Sequence, residues 1–289
     1  MKQRVDAIEF TLSGANGKPK GYILKSQFAV LDMIRGNNWE RPIYFAVTTG
    51  PDSYMGLQSF FRLEGLAYRL VPIRYPKNDN PNAFGGVATN AMYSNVMDKW
   101  SWGGMDNVED GIYMDENNRR MVTNFRLQLS VLAEELMKED DPNRALDILE
   151  QVIVKMPEAN VPISRVLMSI QGSLMELAST SEAPGIKVYD LADDRRALAR
   201  ELGVNLTRRL FEIQADDLEY YHSLDPARFR SLAQERRIAK QVAEVMVQTA
   251  TLYLPQDSLG SELEAQMVEL EAMMAESEQR IATMGAFEF

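Results

Sequence analysis

From Asn118 onward the chain keeps one rule: apolar residues return every three or four positions, and no strand-like alternation interrupts them. That pattern commits more than half of the polypeptide to helices that can hide their apolar stripes only against one another. Phe125, Leu129, Leu132 and Leu136 form one stripe over 118–138. Asp140-Asp141-Pro142-Asn143 then supplies a cap and a first-turn proline for a second helix, which runs to Lys155 before Pro157. Further helices are expected over 163–179, 191–223, 226–253 and 259–284.

The first pair carries a repeat-like signature. Leu132, Ala133, Leu136, Ala145, Leu149, Val152 and Pro157 follow Leu129 at the offsets of a tetratricopeptide unit. Small residues at Ala133 and Ala145 suit a close helix crossing. The next pair departs from the 34-residue period, with an insert around Ser179-Thr180-Ser181-Glu182-Ala183-Pro184-Gly185. The last helix repeats in sevens through Leu263, Met267, Leu270, Met274, Ile281 and Met284, with Ser277 as the polar member. Glutamates keep the same period on the other side. This predicts a terminal helix capping the array with its acidic side in water; a partner-binding or coiled-coil helix is the alternative.

Residues 1–115 use a different grammar, so the whole reads as α+β: a mixed α/β module over 1–115 and an all-α, tetratricopeptide-like array over 116–289. Strands are expected over 5–12 and 22–25, joined by the Gly- and Pro-rich stretch 14–21. Ser26 is the expected N-cap of a helix bearing Phe28, Leu31 and Ile34 and closed by Gly36. Ile43 to Thr48 reads as a continuously buried strand and Ala67 to Ile73 as another, with Pro76, Pro81, Gly85 and Gly86 in long loops. Thr89 to Trp100 reads as a helix.

Charge narrows the partners. Residues 1–120 hold 14 Lys/Arg and 13 Asp/Glu, residues 121–289 hold 17 and 29, and the whole chain carries −11. Such a chain repels phosphate backbones, so nucleic acid is not an expected partner. No apolar run is long enough to span a bilayer. The absence of cysteine excludes disulfides and thiolate chemistry.

Catalytic chemistry finds little support. His222 is the single histidine and sits at a helix end, where a hydrogen-bonding role suffices. Asp106 to Gly111 has part of the spacing of a calcium loop, but Val108 and Asn117 stand where oxygen ligands belong. Asp140-Asp141, Asp193-Asp194 and Asp216-Asp217 fit helix starts or solvent faces. Phe84-Gly85-Gly86 and Trp102-Gly103-Gly104 lack the context of a phosphate loop. No catalytic residue, metal ligand or cofactor is expected. What remains is Asn38-Trp39-Glu40-Arg41-Pro42-Ile43-Tyr44-Phe45, whose indole, guanidinium and phenol can line a pocket or pack a corner, with Arg41 paired to a carboxylate such as Glu64. The candidate binding set is Trp39, Arg41, Tyr44, Glu64 and Arg69.

The runs Asn37 to Thr48, Tyr54-Met55-Gly56-Leu57, Leu63 to Ile73 and Asp115 to Met121 are ordered motifs. Together they resemble the C-terminal soluble region of large bacterial membrane proteins of unknown function, related to protein O-mannosyltransferases of the GT-C class. The likeness is close over 1–160 and elsewhere extends only to the helical pattern. It implies a domain of a longer protein on the periplasmic side of the inner membrane, anchored through a multi-spanning N-terminal part. The family's catalytic acid lies between membrane helices, so no residue here inherits it. The expectation is a non-catalytic module that positions an acceptor polypeptide or protein partner for a membrane-embedded glycosyltransferase. A carbohydrate-binding module using Trp39 and Tyr44 is the alternative. A free-standing hydrolase lacks a G-x-S-x-G nucleophile motif.

Overall fold

The computed structural model describes residues 3–4, 7–9, 11–12, 18–19, 21–77, 83–109, 111–181 and 183–285. It is α+β: a small mixed sheet followed by a helical array. The chain divides into two compact units, 1–161 and 162–289, so the change of grammar at 115 falls inside the first.

The first unit opens with β1, Gln3–Arg4, paired antiparallel with β5, Ile73–Arg74. Much of the expected first strand and of the turn over 14–21 lies outside the described residues, as does Pro81. The expected strand at 22–25 is not formed. Instead α1 begins at Lys25 and runs to Asn37. Its start is set by Gln27 rather than Ser26. The Leu24 N–H donates to Gln27 Oε1 at 3.1 Å, and Gln27 Nε2 donates to the Asp52 carbonyl at 3.0 Å. A buried amide satisfies an orphan helix donor and fixes α1 to the neighbouring turn. The helix passes Gly36 and ends where Asn38 takes a left-handed φ of 43°, a conformation asparagine tolerates.

Four strands form the main sheet in the order β2 (Tyr44–Ala46), β4 (Ala67–Leu70), β3 (Phe61–Leu63) and β6 (Gly86–Val87). β4 is antiparallel to β2 and β3, and β6 runs parallel to β3. The first strand of this order is an alternating one, not the continuously buried run expected over 43–48: Phe45 is buried while Tyr44 and Ala46 are exposed. One face packs Phe45, Phe61 and Tyr68 with Tyr54 and Phe84, Phe61 stacking on Tyr68 at 5.5 Å between ring centres. Each such pair contributes about 0.5–1.5 kcal/mol beyond its burial. Gly85 and Gly86 serve this packing. A Cβ on Gly85 (φ +65°) would meet the Phe61 carbonyl, and one on Gly86 would meet the Tyr75 ring.

The helix expected over 89–100 is α2, Thr89–Ser94, continued by a π-helical turn over Asn95–Lys99. It is tied to α3 (Glu116–Lys138) and α4 (Pro142–Lys155). Thr89 donates to Glu139 at 2.8 Å, Tyr93 to Asp147 at 2.6 Å, and Arg144 to Asn90 at 2.7 Å. Asp141 caps α4 and binds Arg144, as its Asp-Pro start predicts. Ala133 and Ala145 are wholly buried, and α3 packs on α4.

The second unit holds α5 (Leu167–Ala178), α6 (Asp193–Ser223), α7 (Pro226–Ser231), α8 (Ala233–Tyr253) and α9 (Leu259–Gly285). The single helix expected over 226–253 is broken at Leu232, after the short Asp225-capped α7. α9 lies against α6 and α8, burying Leu263, Met267, Leu270 and Ser277. Its acidic side faces water as expected, Glu262, Glu264, Glu269, Glu271, Glu276 and Glu278 all being exposed, and three of them also pair across the surface. Glu262 meets Arg208 at 2.9 Å, Glu271 meets Lys240 at 2.7 Å and Glu278 meets Arg236 at 3.6 Å. The stripe from Leu263 to Leu270, with Ser277, is thus covered by its own chain, while Met274 and Ile281 are half-buried.

Candidate functional site

The exposed face of the main sheet carries a polar row. Period-two alternation sends Tyr44, Arg69 and Arg62 to the face opposite the aromatic core. The strand register sets Tyr44 beside Arg69 and Arg69 beside Arg62. Glu64, on the turn between β3 and β4, sits among them. Tyr44 Oη donates to Glu64 Oε2 at 2.9 Å, Arg62 Nε donates to Glu64 Oε1 at 2.9 Å, and Arg69 Nη1 lies 3.7 Å from Glu64 Oε1. The Glu64 side chain is 14% exposed and that of Arg69 is 38% exposed.

Burial of Glu64 would raise its carboxyl pKa. The hydrogen bonds from Arg62 and Tyr44 and the charge of Arg62 and Arg69 outweigh that and hold it below the ordinary value. The Tyr44 phenol is pushed up, first by burial and then by its bond to Glu64 and that carboxylate's charge. Glu64 is thus an ionised anchor that accepts from Tyr44 and Arg62, with the Arg69 charge beside it. It is poorly placed to move a proton.

Of the five candidate residues the structure brings together Tyr44, Glu64 and Arg69. Arg41 is not the partner of Glu64. It is exposed, its backbone N–H donating to the Asn37 side chain at 3.3 Å and its carbonyl accepting from it at 2.7 Å. Arg62 takes the expected role, because the β3–β4 hairpin folds it across from Arg69 while Arg41 precedes β2. Its signal was the alternation Phe61-Arg62-Leu63-Glu64 before Gly65.

Trp39 stands apart from this row. It has a left-handed φ of 63° and is 47% exposed. With Leu31, Ile34, Leu57, Leu70 and Pro72 it lines a cavity of about 560 Å3 on the side of the sheet that β4 presents through Leu70. The other two tryptophans are structural: Trp100 packs edge-on against Trp102 and Phe125.

Residues 2–91 match the family model of TMEM260-associated domain 2. That family is tied to TMEM260, a membrane protein. The matched segment contains Trp39, Arg41, Tyr44, Glu64 and Arg69. No match was found among curated proteins or among solved structures. No helix among the described residues is long and apolar enough to cross a membrane.

The loop with partial calcium spacing is held by protein groups. Asp106 pairs with Lys155 at 2.6 Å, and Asn160 binds the carbonyls of Met105 and Asn107 and the N–H of Ile112. Asp110 lies outside the described residues. Among the described residues no group of three or more His, Asp or Glu is placed to hold a metal ion. In the second unit a polar cleft of about 680 Å3 is lined in part by Arg196, Arg200, Tyr253 and Asp257. Arg196 is committed to the carbonyls of Leu177, Ser179 and Tyr189, and Arg200 to Asp257.

Proposed function

We propose that this chain is a non-catalytic accessory module that holds an acceptor polypeptide or protein partner for a membrane-embedded glycosyltransferase of the GT-C class, on the periplasmic side of the inner membrane. The observation that carries this reading is a coincidence of position. The segment matched by a family tied to a membrane protein is also the one that presents the row Tyr44, Glu64, Arg69 and Arg62 to solvent. Tyr44, Arg62 and Glu64 are spent on one another as donors and acceptors and Arg69 stands beside them, which suits recognition better than bond-making. Within each unit, stacked helix pairs would add contact strips side by side. A broad panel of unstructured polypeptides titrated against the whole chain tests it. Saturable binding is expected, and flat titrations across the panel would overturn it.

A carbohydrate-binding reading has its own support: Trp39 and Tyr44 are each about half exposed, Trp39 beside a cavity of sugar-accommodating size. It predicts glycan-dependent quenching of tryptophan fluorescence that Trp39→Ala abolishes while Trp100 and Trp102 remain. Quenching that survives the substitution would end it.

A further inference from the structure

β2 is the terminal strand of the main sheet, and its outer edge is open among the described residues. The Leu70 N–H donates to the Ile43 carbonyl at 2.9 Å and the Val47 N–H to the Leu66 carbonyl at 3.1 Å. In an antiparallel ladder this turns the backbone groups of Ile43, Phe45 and Val47 inward to β4. The N–H and C=O of Tyr44 and the N–H of Ala46 therefore point outward. The Ala46 carbonyl is already taken, by the Thr49 N–H at 3.0 Å and the Tyr54 hydroxyl at 3.3 Å. Three outward groups remain, at strand spacing, and both residues that carry them are exposed.

We propose that the outer edge of β2 takes an extended polypeptide as an added antiparallel strand, with an acidic side chain opposite Tyr44. This rests on the polypeptide-holding reading and deepens it. Paired donors and acceptors on one residue, followed by a donor two residues on, are matched by another peptide backbone in extended form. The taken Ala46 carbonyl stops the pairing there, so the added strand is short.

Charge selects the side chain opposite Tyr44. It lands on the face where, among the described residues, Arg62 and Arg69 stand against a single carboxylate, Glu64. Arg69, beside Tyr44, is the more exposed of the two and meets Glu64 only at 3.7 Å. An acidic residue one strand further out extends this row, whereas a lysine adds a third cation to it. The flanking residues of the added strand fall on the opposite face. One of them neighbours Ile43, across from Leu70, which lines the cavity beside Trp39.

The test uses the whole chain and three synthetic peptides of alternating Thr and Val: one with a central Glu, one with a central Lys, and the Glu peptide methylated on its central backbone nitrogen. The Glu peptide is expected to shift the amide resonances of Tyr44 and Ala46 and to bind at least about tenfold more tightly than either control. Ala46→Pro removes an outward N–H that β4 does not use, and is expected to weaken binding to a similar degree. If that variant does not fold, the methylated peptide on the unaltered chain decides. Equal binding of methylated and unmethylated peptides would overturn strand addition while leaving a polypeptide-holding role intact. Absence of binding by these peptides and by the broad panel would overturn both.

Discussion

Ser277 Oγ lies 2.6 Å from His222 Nδ1, joining the polar member of the α9 heptad stripe to the chain's single histidine. Arg280 completes the cluster, its Nη2 donating to Ser277 Oγ at 2.8 Å and to the His222 carbonyl at 3.0 Å. Ser277 Oγ accepts from Arg280 and shares a hydrogen bond with the imidazole. Ser277 is 2% exposed, and these three side chains latch α9 to the end of α6. A histidine and a serine in contact invite a catalytic reading. Here the hydroxyl answers to a guanidinium as well as to the imidazole, which is an arrangement for holding a helix end.

Ser277→Ala should therefore destabilise the second unit by about 1–3 kcal/mol, because a buried network loses its shared member. Combined with His222→Ala in a double-mutant cycle, the coupling energy should fall within about 0.5–3 kcal/mol. Denaturant titration followed by circular dichroism reads both. Strict additivity would mean that the contact carries no stability.

Asp217 on α6 has its carboxyl raised, first by burial and next by the neighbouring Asp216, against a smaller opposing effect of Arg165. Its folded pKa thus lies above the unfolded value of about 3.9. Between the two the folded chain holds the extra proton, so stability falls as pH rises through this window and is level above it. Asp217→Asn should raise the melting temperature at neutral pH. The gain should vanish when melting is measured below the unfolded pKa, and a gain that grew on acidification would contradict the sign.

Glu64 has the opposite sign. Its folded pKa lies below the unfolded value of about 4.3, so its contribution is present above that value and is lost as pH falls through the folded pKa. Glu64→Gln should cost about 1 kcal/mol at neutral pH, a modest figure because its cationic partners are partly solvated. It should also let the Tyr44 phenol titrate lower, since the carboxylate is one of the causes that raise it. Ultraviolet difference titration of the two proteins checks that shift.

Arg126 is a buried guanidinium, 2% exposed, whose Nη2 donates at 2.8 Å to the carbonyls of Met156 and Val161. Burial lowers its pKa to about 10, against a smaller opposing effect of Glu158. The side chain gathers the chain as it leaves α4. Arg126→Met keeps much of the volume but strands both carbonyls, and should cost about 1–3 kcal/mol by denaturant melting.

The helical part was legible because its signals are local. The Asp141-Pro142 start, the Leu129–Leu136 stripe and the α9 heptad each state an element within a few residues. The helix expected after Asp225-Pro226 does start there, but no Gly or Pro marks the break at Leu232, and the helical pattern on either side masked it. In the mixed module the decisive partners are distant in sequence. α1 begins at Lys25 because Gln27 reaches the Asp52 carbonyl, which no local pattern records. Tyr44 and Glu64 were both visible as candidates. That Arg62 rather than Arg41 completes them follows from the hairpin register around Gly65, and register is set by which face must be buried.

The most direct test of the account is hydrogen–deuterium exchange over the whole 289-residue chain at saturating unstructured polypeptide, with the polypeptide's mass measured before and after. Slowed exchange along 43–47 and an unaltered polypeptide mass are the predicted results. Exchange unchanged throughout the chain, or a polypeptide cleaved or modified by this chain alone, would contradict a module that holds its partner and leaves the chemistry to another.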